Sequence, residues 1–172
     1  GVTHVPRHQL SPRSREETPP RAAGFARQFG ERGAGWWVRL GRMAFDTDGS
    51  VVARLREVCL ALPETSERLS HGSPTFFIRE KKTFVTFVDD HHGDGIMGIW
   101  CAAPPGAQQE LVDTEPERFF RPPYVGHRGW LGVRLDVDVD WDEVAGIVAD
   151  AYCQVAPKTL ARRVREDFDT TP

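Results

Sequence analysis

Apolar residues first fall into a regular pattern at Val51. Val51, Val52, Leu55, Val58, Cys59 and Leu62 lie at i, i+1, i+4, i+7, i+8 and i+11, one face of an amphipathic helix that Pro63 ends. Beyond a polar loop the period changes. Residues 75–79 and 83–88 are β-branched and aromatic, with the charged Glu80-Lys81-Lys82 between them, and predict a hairpin. The cluster Asp89-Asp90-His91-His92-Gly93-Asp94-Gly95 predicts a turn into a third strand over 96–101. Pro104-Pro105-Gly106 then separates that strand from a helix over 108–114, with a continuation through 117–120. A long loop over 121–129 leads to a fourth strand over 130–136. Asp140, with Glu143 three residues on, has the spacing of a capping box. Trp141, Val144, Val148, Ala151, Tyr152 and Val155 make the apolar stripe of the helix that follows, and Pro157 starts a last, short basic helix. The expected order is therefore α-β-β-β-α-β-α, an α+β domain.

The first 42 residues lack any such period. They hold Pro6, Pro12, Pro19, Pro20 and six glycines, and carry eight Arg against three Glu, net +5. A segment of this kind buries too little apolar surface to offset its ordering entropy. It is expected to be a disordered basic tail, or a non-native extension ahead of Met43, with residues 43–172 forming a single domain. That remainder is acidic, net −8, which brings the 172-residue chain to −3. An acidic body offers few phosphate contacts, because nucleic-acid affinity comes largely from Lys and Arg. No apolar run approaches the ~20 residues that span a bilayer, and no signal-peptide core is visible, so the expected location is the cytoplasm. Cys59, Cys101 and Cys153 lie far apart inside apolar-periodic segments, which suits packed, reduced thiols rather than a metal or redox pair.

Several local phrases recur together in a known family. They are Leu62-Pro63-Glu64 closing the first helix, His71-Gly72-Ser73-Pro74-Thr75-Phe76 entering the first strand, Lys82-Thr83-Phe84-Val85 in the hairpin, Gly129-Trp130-Leu131-Gly132-Val133, and Asp140-Trp141 before Ala151-Tyr152. With their order and spacing, over about residues 50–160, the chain resembles the MmcQ/YjbR family. The resemblance implies a two-layer antiparallel sheet with helices on one face, similar to type III secretion chaperones and described as a double wing. It also implies a non-enzymatic, DNA-binding role, since members are commonly labelled as predicted DNA-binding proteins.

Strand periodicity sharpens the candidate surface. Met97, Ile99 and Cys101 share one face of their strand, and Leu131, Val133 and Leu135 one face of theirs, so these six belong under the helices. The opposite face is expected to be open and to carry Trp100, Trp130 and Arg134 on a ground of Gly98 and Gly132, a stacking platform with an anion-binding arginine. The candidate binding residues are Lys81, Lys82, Trp100, Arg128, Trp130 and Arg134, and the partners they admit are DNA, another protein or a second copy of the chain. Aromatic patches of this kind also serve as protein interfaces or are covered by the chain's own tail, which holds Trp36 and Trp37. A second candidate is a pocket of His71, Tyr124 and His127 with Arg128, where a histidine acid/base would work beside an arginine clamp. No nucleophile with an oriented partner and no phosphate loop accompanies it, so no catalytic residue and no cofactor are assigned. His91-His92-x-Asp94 has metal-ligand chemistry, but adjacent histidines diverge, and a solvated turn is the expectation.

Overall fold

The computed structural model describes residues 50–169; the tail over 1–42, with Trp36 and Trp37, and Met43 lie outside the described residues. Helix α1, Val51–Leu60, starts at Ser50, whose hydroxyl accepts the Ala53 N–H at 3.2 Å. Its C-terminal carbonyls are met by Thr65, whose hydroxyl donates to Cys59 at 3.0 Å and to Leu62 at 2.8 Å. Four strands follow: β1 Thr65–Ser70, β2 Ser73–Ile78, β3 Lys82–Asp89 and β4 Met97–Cys101. Next come α2 Ala107–Thr114, β5 Phe119–Phe120, β6 Leu131–Arg134, α3 Trp141–Val155 and α4 Lys158–Asp169. The strands form one sheet in the order β1-β2-β3-β4-β6-β5, every neighbouring pair antiparallel.

The core lies between one face of this sheet and the helices. Phe76, Ile78, Phe84, Val85, Phe87, Ile99, Cys101, Leu131, Val133 and Leu135 meet Leu55, Val58 and Cys59 of α1 and Val144, Val148, Ala151 and Tyr152 of α3. The expected inward set of Ile99, Cys101, Leu131, Val133 and Leu135 is in place, with Met97 packed at its margin. A register shift between Phe76 and Phe77 inserts one residue into β3, which puts the consecutive Phe84 and Val85 both in the core. Tyr152 stands edge-on to Phe84, ring centroids 5.7 Å apart, and its hydroxyl donates to the Pro63 carbonyl at 2.8 Å. That bond ties α3 to the α1–β1 connection.

The architecture is α+β as expected, with two strands that periodicity does not predict. Residues 65–70 form β1 rather than a polar loop, and 119–120 pair with β6 as β5 rather than prolonging α2. Asp140 caps α3 by accepting the Asp142 and Glu143 N–H groups, while the Glu143 carboxylate is engaged by Arg118. Two tight turns use left-handed residues at both central positions: His71-Gly72 between β1 and β2, and Arg79-Glu80 between β2 and β3. This geometry matches the twist of a hairpin but is strained for Arg and Glu. Arg79 offsets part of that strain by donating its backbone N–H to Glu64 at 2.8 Å and its guanidinium to the Glu64 carboxylate.

Candidate functional site

Antiparallel register fixes which side chains share an end of the sheet. Cys101 of β4 sits opposite Val85 of β3 on one side and Leu131 of β6 on the other. The β2–β3 turn, which precedes β3, and the 121–130 loop, which precedes β6, therefore leave the sheet at the same end. Lys81 and Lys82 of the turn and Arg121, His127 and Arg128 of the loop are all exposed there. The opposite end carries Asp89, Asp90 and Asp94 of the β3–β4 connection and Asp136 beyond β6. Within an acidic body, basic side chains thus gather at one end of the strands, with Glu64 and Glu80 beside them, and aspartates at the other. At the acidic end arginines are occupied: Arg134 holds Asp136 at 2.8 Å, and Arg118 bridges Glu115 and Glu143. The Arg134 guanidinium in turn lowers the Asp136 carboxyl below the usual carboxylate range.

The sheet face away from the helices is not the open platform that alternation predicts. Trp100 is 8 % exposed, and Thr75, Phe77 and Val88 on the same face are buried too. Arg68 lies over the Phe77 ring at 3.9 Å. Phe120 fills the ground over Gly132, where a Cβ would overlap its ring. Trp130 precedes β6 instead of starting it, and packs partly against the core. Arg134 does reach this face, but in its pair with Asp136. Two of the expected platform residues, Trp100 and Arg134, are thereby taken up by contacts within the chain. The cross-strand neighbours of Trp100 are the small Thr86 and Gly132, so its cover comes from outside the strands, which alternation along one strand does not reveal.

What covers Trp100 is an aromatic cluster. His91 arrives from the β3–β4 connection and Tyr124 from the 121–130 loop. The His91 ring is edge-on to Trp100 at 4.8 Å, and Tyr124 lies 6.4 Å from Trp100 and 6.2 Å from His91. His92 joins at 4.2 Å from His91 and 6.4 Å from Tyr124. Tyr124 and His92 are exposed, and both have left-handed backbones, φ 64° and 56°. The Trp100 Nε1 and His91 Nε2 atoms are buried and have no hydrogen-bond partner among the described residues. Buried polar atoms are as a rule paired, so this cluster departs from what stability alone selects.

The 121–130 loop is held from below by Gln108 of α2, a buried polar residue whose amide donates to the carbonyls of Gly126, at 2.7 Å, and Trp130. Periodicity does not single out Gln108, because on the helix it reads as one more polar position. His71 and His127, expected to share a pocket, are not brought together. His71 lies in the turn that follows β1 and His127 in the loop before β6, at opposite ends of the sheet and with β2, β3 and β4 between their strands. The lateral separation alone is about 19 Å, four inter-strand spacings. His71 serves instead as the first central residue of its hairpin turn. His91, His92 and Asp94 do not converge, and among the described residues no group of three metal-ligating side chains does so.

A six-stranded, wholly antiparallel sheet with helices on one face and a proline loop pinned under its rim defines a small α+β domain. The model of the YjbR family matches residues 60–154, and the chain belongs to that family. The crystal structure of Deinococcus radiodurans protein DR2400, with the family-model domain DUF419, shares the fold with a TM-score of 0.53; at 20 % identity the match covers 69 % of this chain and 87 % of that one. No curated protein matches. Among the described residues no helix is long and apolar enough to cross a membrane.

Proposed function

We propose that this YjbR-family domain is a non-catalytic DNA-binding module that meets the phosphate backbone with the basic end of its sheet. The observation that carries this reading is the shared end itself: Lys81 and Lys82 stand where Arg121, His127 and Arg128 also emerge, in a chain whose overall charge argues the other way. Of the two hairpin tips that a double wing would use, β2–β3 is basic and β3–β4 is acidic, so one wing contacts phosphate and the other does not. The three-residue connection Arg79-Glu80-Lys81, closed by the Lys81 N–H on the Ile78 carbonyl, gives the lysines a rigid mount, and Gln108 does the same for the loop that carries Arg128. Arg134 and Trp100 drop out of the binding set because their contacts are internal.

The test is fluorescence anisotropy of labelled DNA with the full chain over a series of salt concentrations. Changing Lys81 and Lys82 to Glu is expected to weaken binding at least ten-fold and to reduce the slope of log K against log salt by about 2. Arg134→Ala is expected to stay within about two-fold of the parent, as its guanidinium serves Asp136. Salt-insensitive binding, or an Arg134 effect as large as that of the lysines, would sink the reading.

A further inference from the structure

We infer that Tyr124 is a stacking site for an unpaired nucleobase, which makes single-stranded nucleic acid the preferred ligand of the basic end; this rests on the phosphate-binding reading above. Tyr124 is 68 % exposed, one of the most exposed large hydrophobic side chains among the described residues, yet it is not loose. Its ring is propped by His91, His92 and Trp100, at 6.2 to 6.4 Å and at interplanar angles of 85°, 71° and 54°. None of the three is parallel to it, so no ring of the cluster lies flat against it. The backbone beneath is held in the left-handed region, an unfavourable place for a bulky side chain. Such strain persists only where surrounding structure imposes it, here Pro122 and Pro123 before the residue and the N–H groups of Val125 and Gly126 bonded back to the carbonyls of Pro123 and Pro122. Two orphaned buried nitrogens lie in the rings that prop it.

A rigid, exposed aromatic face is a costly thing to keep in water, and a base is a ligand whose flat face repays it. Duplex DNA keeps its bases stacked on one another and offers the ring no such face. The same loop carries Arg121, His127 and Arg128, so a base on Tyr124 would have its phosphates within the basic end. The exposed His92 ring stands at a steep angle beside Tyr124 and closes the corner from one side.

The experiment measures anisotropy of a labelled thymidine oligonucleotide and of a duplex of equal length, with the full chain and its Tyr124→Ala, Tyr124→Phe and Lys81→Glu/Lys82→Glu forms. The single strand is expected to bind more tightly than the duplex. Tyr124→Ala should lose roughly ten-fold on the single strand and less than about two-fold on the duplex, with an unchanged salt slope, and Tyr124→Phe should keep the parent affinity. An unchanged single-strand affinity in Tyr124→Ala, equal losses on both ligands, or a Phe variant as weak as the Ala variant would overturn the inference while leaving phosphate binding in place. Absence of salt-dependent binding to either ligand, or no effect of the lysine changes, would overturn both. Thermal melts of the Tyr124 variants separate a lost stacking contact from a misfolded loop.

Discussion

Asp150 shows how a single residue can set the pH response of this fold. It sits on α3, where burial pushes its carboxyl up to about 7, and Arg165 pulls only partly in the other direction. In the unfolded chain the same group ionises in the ordinary carboxylate range near 4. A folded-state value above the unfolded one means that the native fold binds this proton more tightly. The stabilisation is therefore complete below pH ~4 and is lost as the pH rises toward 7, by at most about 4 kcal/mol. Asp150→Asn removes the ionisation. Urea denaturation at pH 5 and at pH 8 should show the variant more stable than the parent at pH 8, with the gap shrinking at pH 5. A gap that is equal at both values would show that Asp150 is not the titrating group. Cys101, raised to about 12 by burial, has no part in this window.

At the scale of elements, two glycines show how closely strands and their neighbours approach. A Cβ at Gly98 would overlap the Val133 carbonyl of the adjacent β6 backbone, whereas the nearest atoms a Cβ at Gly132 would overlap are those of the Phe120 ring. Backbone in a paired ladder yields less readily than a ring on the two-residue edge strand β5. Gly98→Ala is therefore expected to cost about 3 kcal/mol and Gly132→Ala about 1 kcal/mol, in equilibrium urea unfolding. The reverse order would mean that the β4–β6 ladder is the softer of the two. The same elements mark how far the sequence could be read. Helices α1 and α3 were legible because a buried stripe repeats along one face, α2 because Pro104-Pro105-Gly106 marks its start, and β2, β3, β4 and β6 because central strands need apolar runs. Strand β1, Thr-Ser-Glu-Arg-Leu-Ser, was not: it lies at the sheet edge, is mostly half-buried or exposed, and takes its conformation from pairing with β2 rather than from its own side chains. Of the proposed site, the lysines and the Arg128 loop could be found from charge. The aromatic cluster could not, since it joins His91, Trp100 and Tyr124 from three separate elements, and contact across a sheet leaves no local period.

For the whole molecule, what matters is where charge lies, more than how much of it there is. A net charge of −3 suggests repulsion from nucleic acid, yet repulsion is felt only across distances that salt does not screen. Lys82 and Asp89 stand at the two ends of β3, seven residues apart and so separated by about 23 Å. The Debye length at physiological ionic strength is about 8 Å, so Asp89 should barely weaken phosphate contacts made at the lysines, whereas Asp90 and Asp94 flank the histidines that touch Tyr124. This separates the present arrangement from one governed by net charge, and two variants of similar charge change can tell them apart. Changing Asp89, Asp90 and Asp94 together to Asn makes the chain more positive by three, and at physiological salt it should tighten binding of duplex DNA, which does not use Tyr124, by less than about two-fold. Gains should grow only when salt is lowered and the screening length approaches the size of the domain. Changing the two lysines alone should cost far more than this triple change gains. If the acidic-end variant instead tightens binding by an order of magnitude at physiological salt, the phosphate path runs closer to the β3–β4 connection than the basic end allows, and the docking face must be moved accordingly.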